Sequence, residues 1–566
     1  MAYFERKTLE TAFVKPGTPM LSDCLERLQQ DAELSPTRAR DLASGLRGIG
    51  KALNRPLNEI PADPMWLQPR LGRIEPAALS LSPKSWSNTV SNARAALVHS
   101  GIVQKRDSRR SDLSPPWRAL WEDVLATKSQ SLAPALGRFV HFLNRLDVAP
   151  AEVCDAHTEA YRQALAINEL RKNSEDAMRQ AIYGWNHAVG RLEAWPKQKL
   201  TMVNNSKRYT YSLEDFPLTF QQGVATFINR MQNPDPLDAK ALRAPLRPAT
   251  IRHHRAQLLR FATALVLSGF QIEEMTSLDV LVDPGNARQG LTWMLKRNNG
   301  QSSPSIFNTA LMLKALAKYH LQVPDAQLEE IAELARRLTP EQNRGMTPKN
   351  RTRLRQFDDA NAMRKLVVLP DTLFAAANPM IKLKTALLKI EVAIAIDILL
   401  ACPIRLRNLA ELHLETNLKR IGDERVFLVY DSADVKNRRM IEFELPASLI
   451  KKIDRYLAIR SPIMCPAGTP WLFSQRRVAR SVSTSDLSKR VSKAIRKEVG
   501  VDMNVHLFRH FAAKLWLERY PGQYEALRRI LGHAELSSTL NAYAGFEAGT
   551  ASQLFANIIE QKRGSQ

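Results

Sequence analysis

Cysteine is scarce in this chain: its 566 residues include four cysteines, Cys24, Cys154, Cys402 and Cys465, and no Cys-x-x-Cys pair. This argues against a disulfide framework and a zinc ribbon, and it fits a reducing compartment. With 23 glycines and 32 prolines, the composition also excludes collagen-like and low-complexity chains. The remaining composition, 44% hydrophobic and 24% charged, is that of a globular protein, and the length predicts several domains.

The chain also lacks a long uncharged apolar run. Its most apolar stretch, residues 381–404, contains Lys382, Lys384, Lys389, Glu391 and Asp397. Because charges are costly inside a bilayer, we expect a buried helix there and no membrane partner. The N-terminal sequence MAYFERKTLETAF has no apolar signal core. We therefore expect a cytoplasmic protein, associated with the nucleoid if the source is a bacterium.

Acidic residues are too few to balance the basic ones. There are 81 Lys and Arg against 57 Asp and Glu, a formal charge of +24. The excess is regional, because residues 451–500 contain 12 basic and 3 acidic residues, whereas residues 401–450 contain 8 of each. Such an excess predicts an anionic partner, first of all a nucleic-acid backbone. A solvated face that maintains solubility is the alternative.

Helical periodicity dominates the first 340 residues. We predict three helical domains of similar build, at residues 1–103, 117–196 and 217–338, and their weak similarity suggests an internal triplication. Ser35 before Pro36 and Ser82 before Pro83 are expected to cap helices that continue to Leu53 and Val98. Residues 339–357 predict a boundary, either a basic linker on DNA or a plain hinge, with the cations Arg344, Lys349, Arg351, Arg353 and Arg355.

Residues 358–566 form the fourth predicted domain. Residues 424–430 and 439–446 predict two strands, the second with alternating polarity, in a β-hairpin with Lys436 at or near its tip. Residues 471–474 are a candidate for a further strand. The rest of this region predicts helices, with Gly532 ending one helix and Ser537 capping the next.

Four local motifs in this region could carry chemistry. In chain order they are Arg405-Leu-Arg-Asn-Leu, the hairpin Lys436, His506-Leu-Phe-Arg509-His510, and Leu531-Gly532-His533 followed ten residues later by Tyr543. Each alone has an ordinary explanation: a surface ion pair, a turn lysine, a core histidine or a packing tyrosine. The spacing of three residues places His506 and Arg509 on one helix face, near a helix start that favours phosphate. Their order and their predicted elements favour a shared site.

In this combination, residues 358–550 resemble the catalytic domain of the tyrosine recombinases, the phage integrase family, with Phe508 where leucine is usual. The resemblance implies a mainly α, multi-domain fold, in which N-terminal helical DNA-binding units precede a C-terminal α-helical catalytic domain with a small antiparallel β-sheet. It also implies a site-specific DNA strand transferase, an integrase or transposase of a mobile element. Such an enzyme cuts and rejoins duplex DNA through a 3′-phosphotyrosine intermediate.

The resemblance assigns six catalytic residues. Tyr543 would be the nucleophile, His506 its base and Lys436 the acid for the departing 5′ oxygen. Arg405 and Arg509 would stabilise the charge of the phosphorane, because guanidinium groups donate in a bidentate geometry. His533 would donate a hydrogen bond to a phosphoryl oxygen. One phosphodiester replaces another, so we expect no cofactor and no metal, and the sequence contains neither GxxxxGK[ST] nor HExxH.

Double-stranded DNA is the expected partner. The resemblance implies a homo-oligomer, a dimer on each site and a tetramer in synapsis, alone or with other recombinases. The terminal apolar residues would dock on a neighbouring protomer or on their own domain; they are Leu554, Phe555, Ile558 and Ile559. A further set of basic residues could contact DNA phosphates, and a solvated basic face is the alternative. These candidates are Arg247, Arg252, Arg255, Arg351, Arg353, Arg355, Arg476, Arg477, Arg480, Lys489, Arg490 and Lys493.

Three other functions remain open on the sequence. A type IB topoisomerase would use the same chemistry without exchanging partners. A catalytically inactive DNA-binding accessory protein would share the scaffold, although the six catalytic residues argue against it. A nucleic-acid coat or chromatin protein is supported by charge alone.

Overall fold

The structure is a computed structural model, and it describes residues 14–107, 109–202, 209–235, 237–238, 242–340, 345–422, 425–432, 435, 439–543 and 548–563. The chain divides into two compact units, residues 1–202 together with 344–566, and residues 203–343. Across the described ranges, α-helices alternate with short loops, and one three-stranded sheet lies in the C-terminal region. The predicted fold class, mainly α with a small antiparallel sheet, is confirmed.

The N-terminal part of the first unit is helical. Its helices are α1 (Leu21–Gln30), α2 (Pro36–Leu53), α3 (Pro64–Leu71), α4 (Pro83–His99), α5 (Pro115–Ala126), α6 (Leu132–Arg145), α7 (Asp155–Asn168) and α8 (Ser174–Val189). The Ser35 and Ser82 hydroxyls accept hydrogen bonds from the backbone N–H groups of Arg38 and Ser85, so both predicted caps are confirmed. One core buries Leu46 and Trp86, and the next buries Trp117 and Trp185.

The second unit is a separate helical bundle. Its helices are α9 (Leu218–Gln232), α10 (Pro248–Leu267), α11 (Asp279–Val282), α12 (Pro284–Arg297), α13 (Pro304–Leu316) and α14 (Asp325–Arg337), with a π-turn at Ala317–Leu321 after α13. Apolar residues at helical spacing on α10, including Leu258, Phe261 and Leu265, fill its core.

The C-terminal part of the first unit surrounds the long buried helix α17. Its elements are α15 (Pro348–Arg355), α16 (Ala360–Ala375), α17 (Pro379–Ala401), α18 (Leu406–Ala410), β1 (Leu418–Ile421), β2 (Arg425–Tyr430), β3 (Ile441–Glu444), α19 (Ala447–Ile459), α20 (Thr484–Val499), α21 (Leu507–Arg519), α22 (Tyr524–Leu531), α23 (Leu536–Tyr543) and α24 (Ala548–Arg563). The sheet has the order β1-β2-β3, and Leu428 at its centre pairs with Leu418 and Phe443.

Some sequence predictions for this region need correction. Residues 471–474 are not a strand: Trp471 and Ser474 form isolated bridges with His413 and Ser481. Ser537 does not cap α23, because the helix begins one residue earlier, at Leu536. The strand β1 was missed. Its sequence LKRI buries one residue and therefore shows no alternation. Lys436 lies outside the described residues.

The N-terminal part of the first unit has two hydrophobic cores, one from residues up to Val103 with Leu170 added and one from Leu113 to Leu200, and each remaining region has one further core. These cores support the proposed domains at residues 1–103, 117–196, 217–338 and 358–566, which we retain as a proposal. The first of them packs on the C-terminal region: Arg496 pairs with Glu75 at 2.8 Å, and Lys365 donates to the Ala77 carbonyl at 3.0 Å. In the described part of the chain, every helix is too short or too polar to span a membrane.

Candidate active site

Arg405 lies where the buried helix α17 gives way to α18. After Cys402, the buried residues Pro403 and Ile404 lead to Arg405, which is the N-cap residue of α18. Its Nη1 is buried and has no hydrogen-bond partner among the described residues, and burial lowers the pKa of its guanidinium. Arg407 instead lies on the surface, where its Nε is 2.9 Å from a Glu411 carboxylate oxygen. Of these two arginines, Arg405 is the partly buried one, and its Nη1 is the donor without a described partner.

Arg509 is the structural centre of the site. It lies in the first turn of α21 and is 4% exposed. Its Nη1 donates to the Pro403 carbonyl at 2.7 Å, and its Nη2 donates to the Leu531 carbonyl. Burial, and then the positive charge of Arg405, lowers its pKa to about 10, so the group stays charged at neutral pH. One guanidinium thus joins the segments that carry Arg405 and His533.

A left-handed turn positions His533. Gly532 follows α22 with φ at +58°, and an added Cβ there would lie 3.1 Å from Ile441 Cδ1 on β3. His533 Nδ1 is 2.9 Å from the Thr539 hydroxyl, which is fully buried on α23. Burial, followed by the positive charges of Arg509 and Arg405, lowers the pKa of His533 to about 4. The imidazole is therefore neutral at pH 7.

Tyr543 is the last residue of α23 and is 2% exposed. Its ring is parallel to that of His533, with 6.3 Å between centroids, and it meets the edge of His510 at 5.5 Å. Burial raises the pKa of Tyr543 to about 12, although the positive charge of Arg509 opposes that rise. The hydroxyl is therefore protonated at neutral pH and needs a proton acceptor before it can attack.

Two further histidines complete the site. His506 is the N-cap residue of α21 and is solvent-exposed; partial burial of its ring and the charges of Arg509 and Arg405 lower its pKa. Its ring centroid is 5.0 Å from that of His510. His510 is 9% exposed, its Nδ1 has no partner among the described residues, and its pKa is lowered to about 4, mainly by burial.

The structure therefore brings five of the sequence-predicted residues together: Arg405, His506, Arg509, His533 and Tyr543. Sequence reasoning gave no role to His510 or Thr539. His510 follows His506 by four residues and Thr539 precedes Tyr543 by four, so helical spacing could have indicated both. Within the described ranges, no group of three or more histidine, cysteine or carboxylate side chains could hold a metal ion.

The candidate DNA-binding residues differ in what they contact. Two are ion-paired: Arg490 with the buried Glu391 at 2.6 Å, and Arg353 with Asp502 at 3.7 Å. The exposed ones in the first unit are Arg351, Arg355, Arg476, Arg477, Arg480 and Lys489, and those near the start of α10 in the second unit are Arg247, Arg252 and Arg255. The exposed Phe555, Ile558 and Ile559 lie on α24.

Comparison with known proteins identifies one domain. Residues 372–548 match the model of the phage integrase family. No curated protein sequence matches the chain.

Three similar solved structures are recombinases. One is the XerH site-specific recombinase bound to a palindromic difH substrate in a post-cleavage complex, with 14% identity, 55% of this chain and 80% of that chain covered, and a TM-score of 0.36. The XerH pre-cleavage complex with difH has 15% identity, 54% and 80% coverage, and a TM-score of 0.36. XerA recombinase has 14% identity, 59% and 97% coverage, and a TM-score of 0.26.

Proposed function

We propose, from the premise that residues 372–548 are a domain of the phage integrase family, that this protein is a site-specific DNA recombinase. In this proposal it is the integrase or transposase of a mobile element, and it cuts and rejoins duplex DNA through a 3′-phosphotyrosine intermediate on Tyr543. It acts as a homo-oligomer, a dimer on each site and a tetramer in synapsis. The observation that carries the proposal is the convergence of Arg405, Arg509 and three histidines around one buried tyrosine.

The two arginines would stabilise the transition state. Attack on a phosphodiester places extra negative charge on its non-bridging oxygens, and fixed guanidinium donors can receive that charge without reorganising. Arg405 Nη1 has no hydrogen-bond partner within the described part of the chain. Arg509 uses two of its five N–H groups on carbonyls and keeps the others for the phosphate.

Tyr543 would attack the phosphorus as its proton passes to a base. The proposed base is His506, which the lowered pKa keeps neutral at pH 7. The rings of His506 and Tyr543 both pack on His510, so base and nucleophile share one neighbour. The bond to the 5′ oxygen breaks as the phosphotyrosine bond forms, and Lys436 supplies the proton to that oxygen. Rejoining reverses these transfers, so no energy-supplying cofactor takes part.

His533 would hold a phosphoryl oxygen as a neutral donor. For Nε2–H to donate, Nδ1 must be unprotonated and accept the hydrogen bond from the Thr539 hydroxyl. That tautomer requires the two atoms to lie within hydrogen-bond distance, and they are 2.9 Å apart. Because Tyr543 is 2% exposed, a DNA phosphate would reach its hydroxyl only after α23 shifts.

A suicide substrate tests the nucleophile. It carries a nick beside the cleavage site, so that the short 5′-hydroxyl fragment diffuses away and the covalent complex accumulates. We expect an adduct with the wild-type protein and none with Tyr543→Phe, measured by denaturing gel and by mass spectrometry of the linked peptide.

The matched control is Tyr520→Phe, because Tyr520 is an exposed tyrosine of the same domain. This control should form the adduct at the wild-type level. An adduct that persists in Tyr543→Phe would refute the assignment of the nucleophile.

A further inference from the structure

The second unit contains a cavity that lies outside the site around Tyr543. Its volume is about 460 Å³, which is a usual size for cavities that bind small organic molecules. Its wall is formed by α9, the segment between α9 and α10, one residue of α10, the end of α13 and the π-turn that follows α13. We name it the second-unit cavity and define it by six of its lining residues: Phe227, Met231, His254, Ala315, Tyr319 and His320.

The inner wall of the cavity is apolar and partly aromatic. Phe227 and Met231 on α9 are each 4% exposed, and Leu242, Leu246 and Tyr319 also line the cavity. The Leu246 N–H donates to the Met231 carbonyl at 2.9 Å, which fastens this side of the wall to α9. Such a wall favours a ligand with a flat, apolar body, because aromatic rings stack or meet edge to face.

Two histidines line the cavity. His254 lies on α10 and His320 on the π-turn, and the Nδ1 atom of each is buried without a hydrogen-bond partner among the described residues. Burial lowers the pKa of His254 and, together with the charge of Arg230, lowers the pKa of His320 to about 4, so both rings are uncharged at pH 7. A neutral imidazole has one N–H donor and one acceptor nitrogen. Because no partner at Nδ1 fixes the tautomer, each ring can offer either a donor or an acceptor to a bound molecule.

An irregular backbone segment places His320 at the cavity. The residues Ala317–Leu321 form a π-turn instead of continuing α13, and Gln322 ends this turn with φ at +53°, in the left-handed region. The Arg230 guanidinium donates to the His320 carbonyl at 2.6 Å, and the Phe227 ring meets the His320 ring with 5.1 Å between centroids. Single π-turns recur at functional sites, and a left-handed residue other than glycine has a conformational cost that surrounding contacts must offset. Contacts from α9 therefore hold His320 in position.

The rim of the cavity has a net negative charge. Among the described lining residues, the charged side chains are those of Arg230, Asp235 and Asp238, and all three residues are exposed. One guanidinium against two carboxylates leaves a charge of −1. A phosphate or carboxylate group on a ligand would meet this excess of negative charge, which disfavours nucleotides and the DNA backbone. The ligand that fits the cavity is therefore uncharged.

We propose that the second-unit cavity binds a small uncharged nitrogen heterocycle, a flat aromatic molecule whose ring carries both an N–H donor and an acceptor nitrogen. The aromatic wall would contact its faces, and His254 and His320 would form hydrogen bonds with its edge. The cavity lies outside residues 372–548, and its ligand does not depend on the proposed recombinase function. Occupancy would stabilise the second unit, because a ligand that binds only the folded state raises its stability.

Calorimetric titration of the full-length protein with benzimidazole tests this proposal. Benzimidazole is a flat, uncharged heterocycle with one N–H donor and one acceptor nitrogen. We expect the wild-type protein to bind it with a dissociation constant of about 1 mM or below. A carboxylate derivative of benzimidazole should bind several-fold more weakly, because its charge meets the negative rim.

Two substitutions in the wall and one beside it test the location. His254→Phe keeps an aromatic ring and removes both nitrogens, so we expect about tenfold weaker binding. Ala315→Phe fills the cavity and should abolish binding. The matched control is His253→Phe, because His253 is the exposed neighbour of His254 on α10 and does not line the cavity. This control should bind benzimidazole with the wild-type affinity.

The melting temperature of each variant shows whether its fold is retained, and His254→Phe provides the comparison if Ala315→Phe melts lower than the wild-type protein. No binding by the wild-type protein, or unchanged binding by both wall variants, would overturn the proposal. A base of DNA is the other candidate occupant. If the fluorescence of a duplex containing 2-aminopurine rose with the wild-type protein but not with Ala315→Phe, the cavity would hold an unstacked base, and the proposal of a free heterocycle would be wrong.

Discussion

Arg405 and Arg407 are two arginines of the same short motif, and their surroundings give them different roles. Arg405 faces a buried site and has an unpaired donor, whereas Arg407 forms a solvent-exposed pair with Glu411. The resemblance to the tyrosine recombinases assigned the catalytic role to Arg405. The environment supports the same choice, because a donor without a protein partner is available to a substrate oxygen.

Lysine substitutions at these two positions should separate the roles. Arg405→Lys keeps the charge but loses the planar fork, so we expect the single-turnover rate of adduct formation to fall by about 10²–10³, as for loss of a transition-state donor. Arg407→Lys should stay close to the wild-type rate, because an exposed ion pair contributes at most about 1 kcal/mol. Equal losses at both positions would contradict the assignment of Arg405.

At this scale the sequence indicated which residues lie together but not their environments. Motif order located Arg405, His506, Arg509, His533 and Tyr543. It could not predict that Tyr543 is buried with a pKa raised to about 12, because that depends on how α23 packs against α21 and the turn at Gly532. Lys436 remains a prediction.

At the scale of the element, helix α23 carries both Tyr543, the proposed nucleophile, and Thr539, which is hydrogen-bonded to His533. Thr539 and Tyr543 are one helical turn apart, so a shift of this helix moves both together. The hydrogen bond between Thr539 and His533 therefore couples the position of Tyr543 to the orientation of the His533 ring.

Removal of the Thr539 hydroxyl should impair cleavage without removing a motif residue. Thr539→Val keeps the shape and leaves His533 Nδ1 without a partner, so we expect adduct formation about tenfold slower, equivalent to about 1.4 kcal/mol. Thr539→Ser should retain most activity because it restores the hydroxyl. The measurement is the single-turnover rate at saturating DNA, and a fully active Thr539→Val would contradict the proposed tautomer.

Elements were predictable where a local signal exists. Serine followed by proline located the starts of α2 and α4, a short run of β-branched and aromatic residues located β2, and alternation located β3. The strand β1 exists because it pairs with β2, and its own sequence carries no such pattern. Pairing with a neighbour is a tertiary property that a local pattern does not record.

At the scale of the whole molecule, the first helical domain packs on the C-terminal region within one unit. Gly500 ends α20 with φ at +89°, and an added Cβ would lie 2.4 Å from the Ala78 backbone nitrogen. The ion pair between Glu75 and Arg496 adjoins this contact and joins residues 421 positions apart. Pattern reasoning proposed the separate domains, but no local signal predicts a contact over such a distance.

An alanine at this position should loosen the contact. Gly500→Ala adds the cost of a left-handed alanine, about 1 kcal/mol, and a clash with backbone that cannot rotate away. Gly522→Ala has φ at +80° and nothing within 4 Å, so it adds the conformational cost alone. We expect a lower apparent melting temperature for Gly500→Ala than for Gly522→Ala. Equal shifts would show that this contact contributes little to stability.

The two hydrogen bonds that Arg509 donates to backbone carbonyls have a consequence for how the proposed activity could be lost. The same guanidinium ties Pro403 to Leu531 and would also receive the charge of the reacting phosphate. A substitution of Arg509 would therefore remove the link between these two segments and also the proposed catalytic donor. The exposed basic residues elsewhere in the chain would be unchanged. In the proposed recombinase, a variant substituted only at Arg509 would bind DNA without cleaving it and could compete with the wild-type protein for recombination sites.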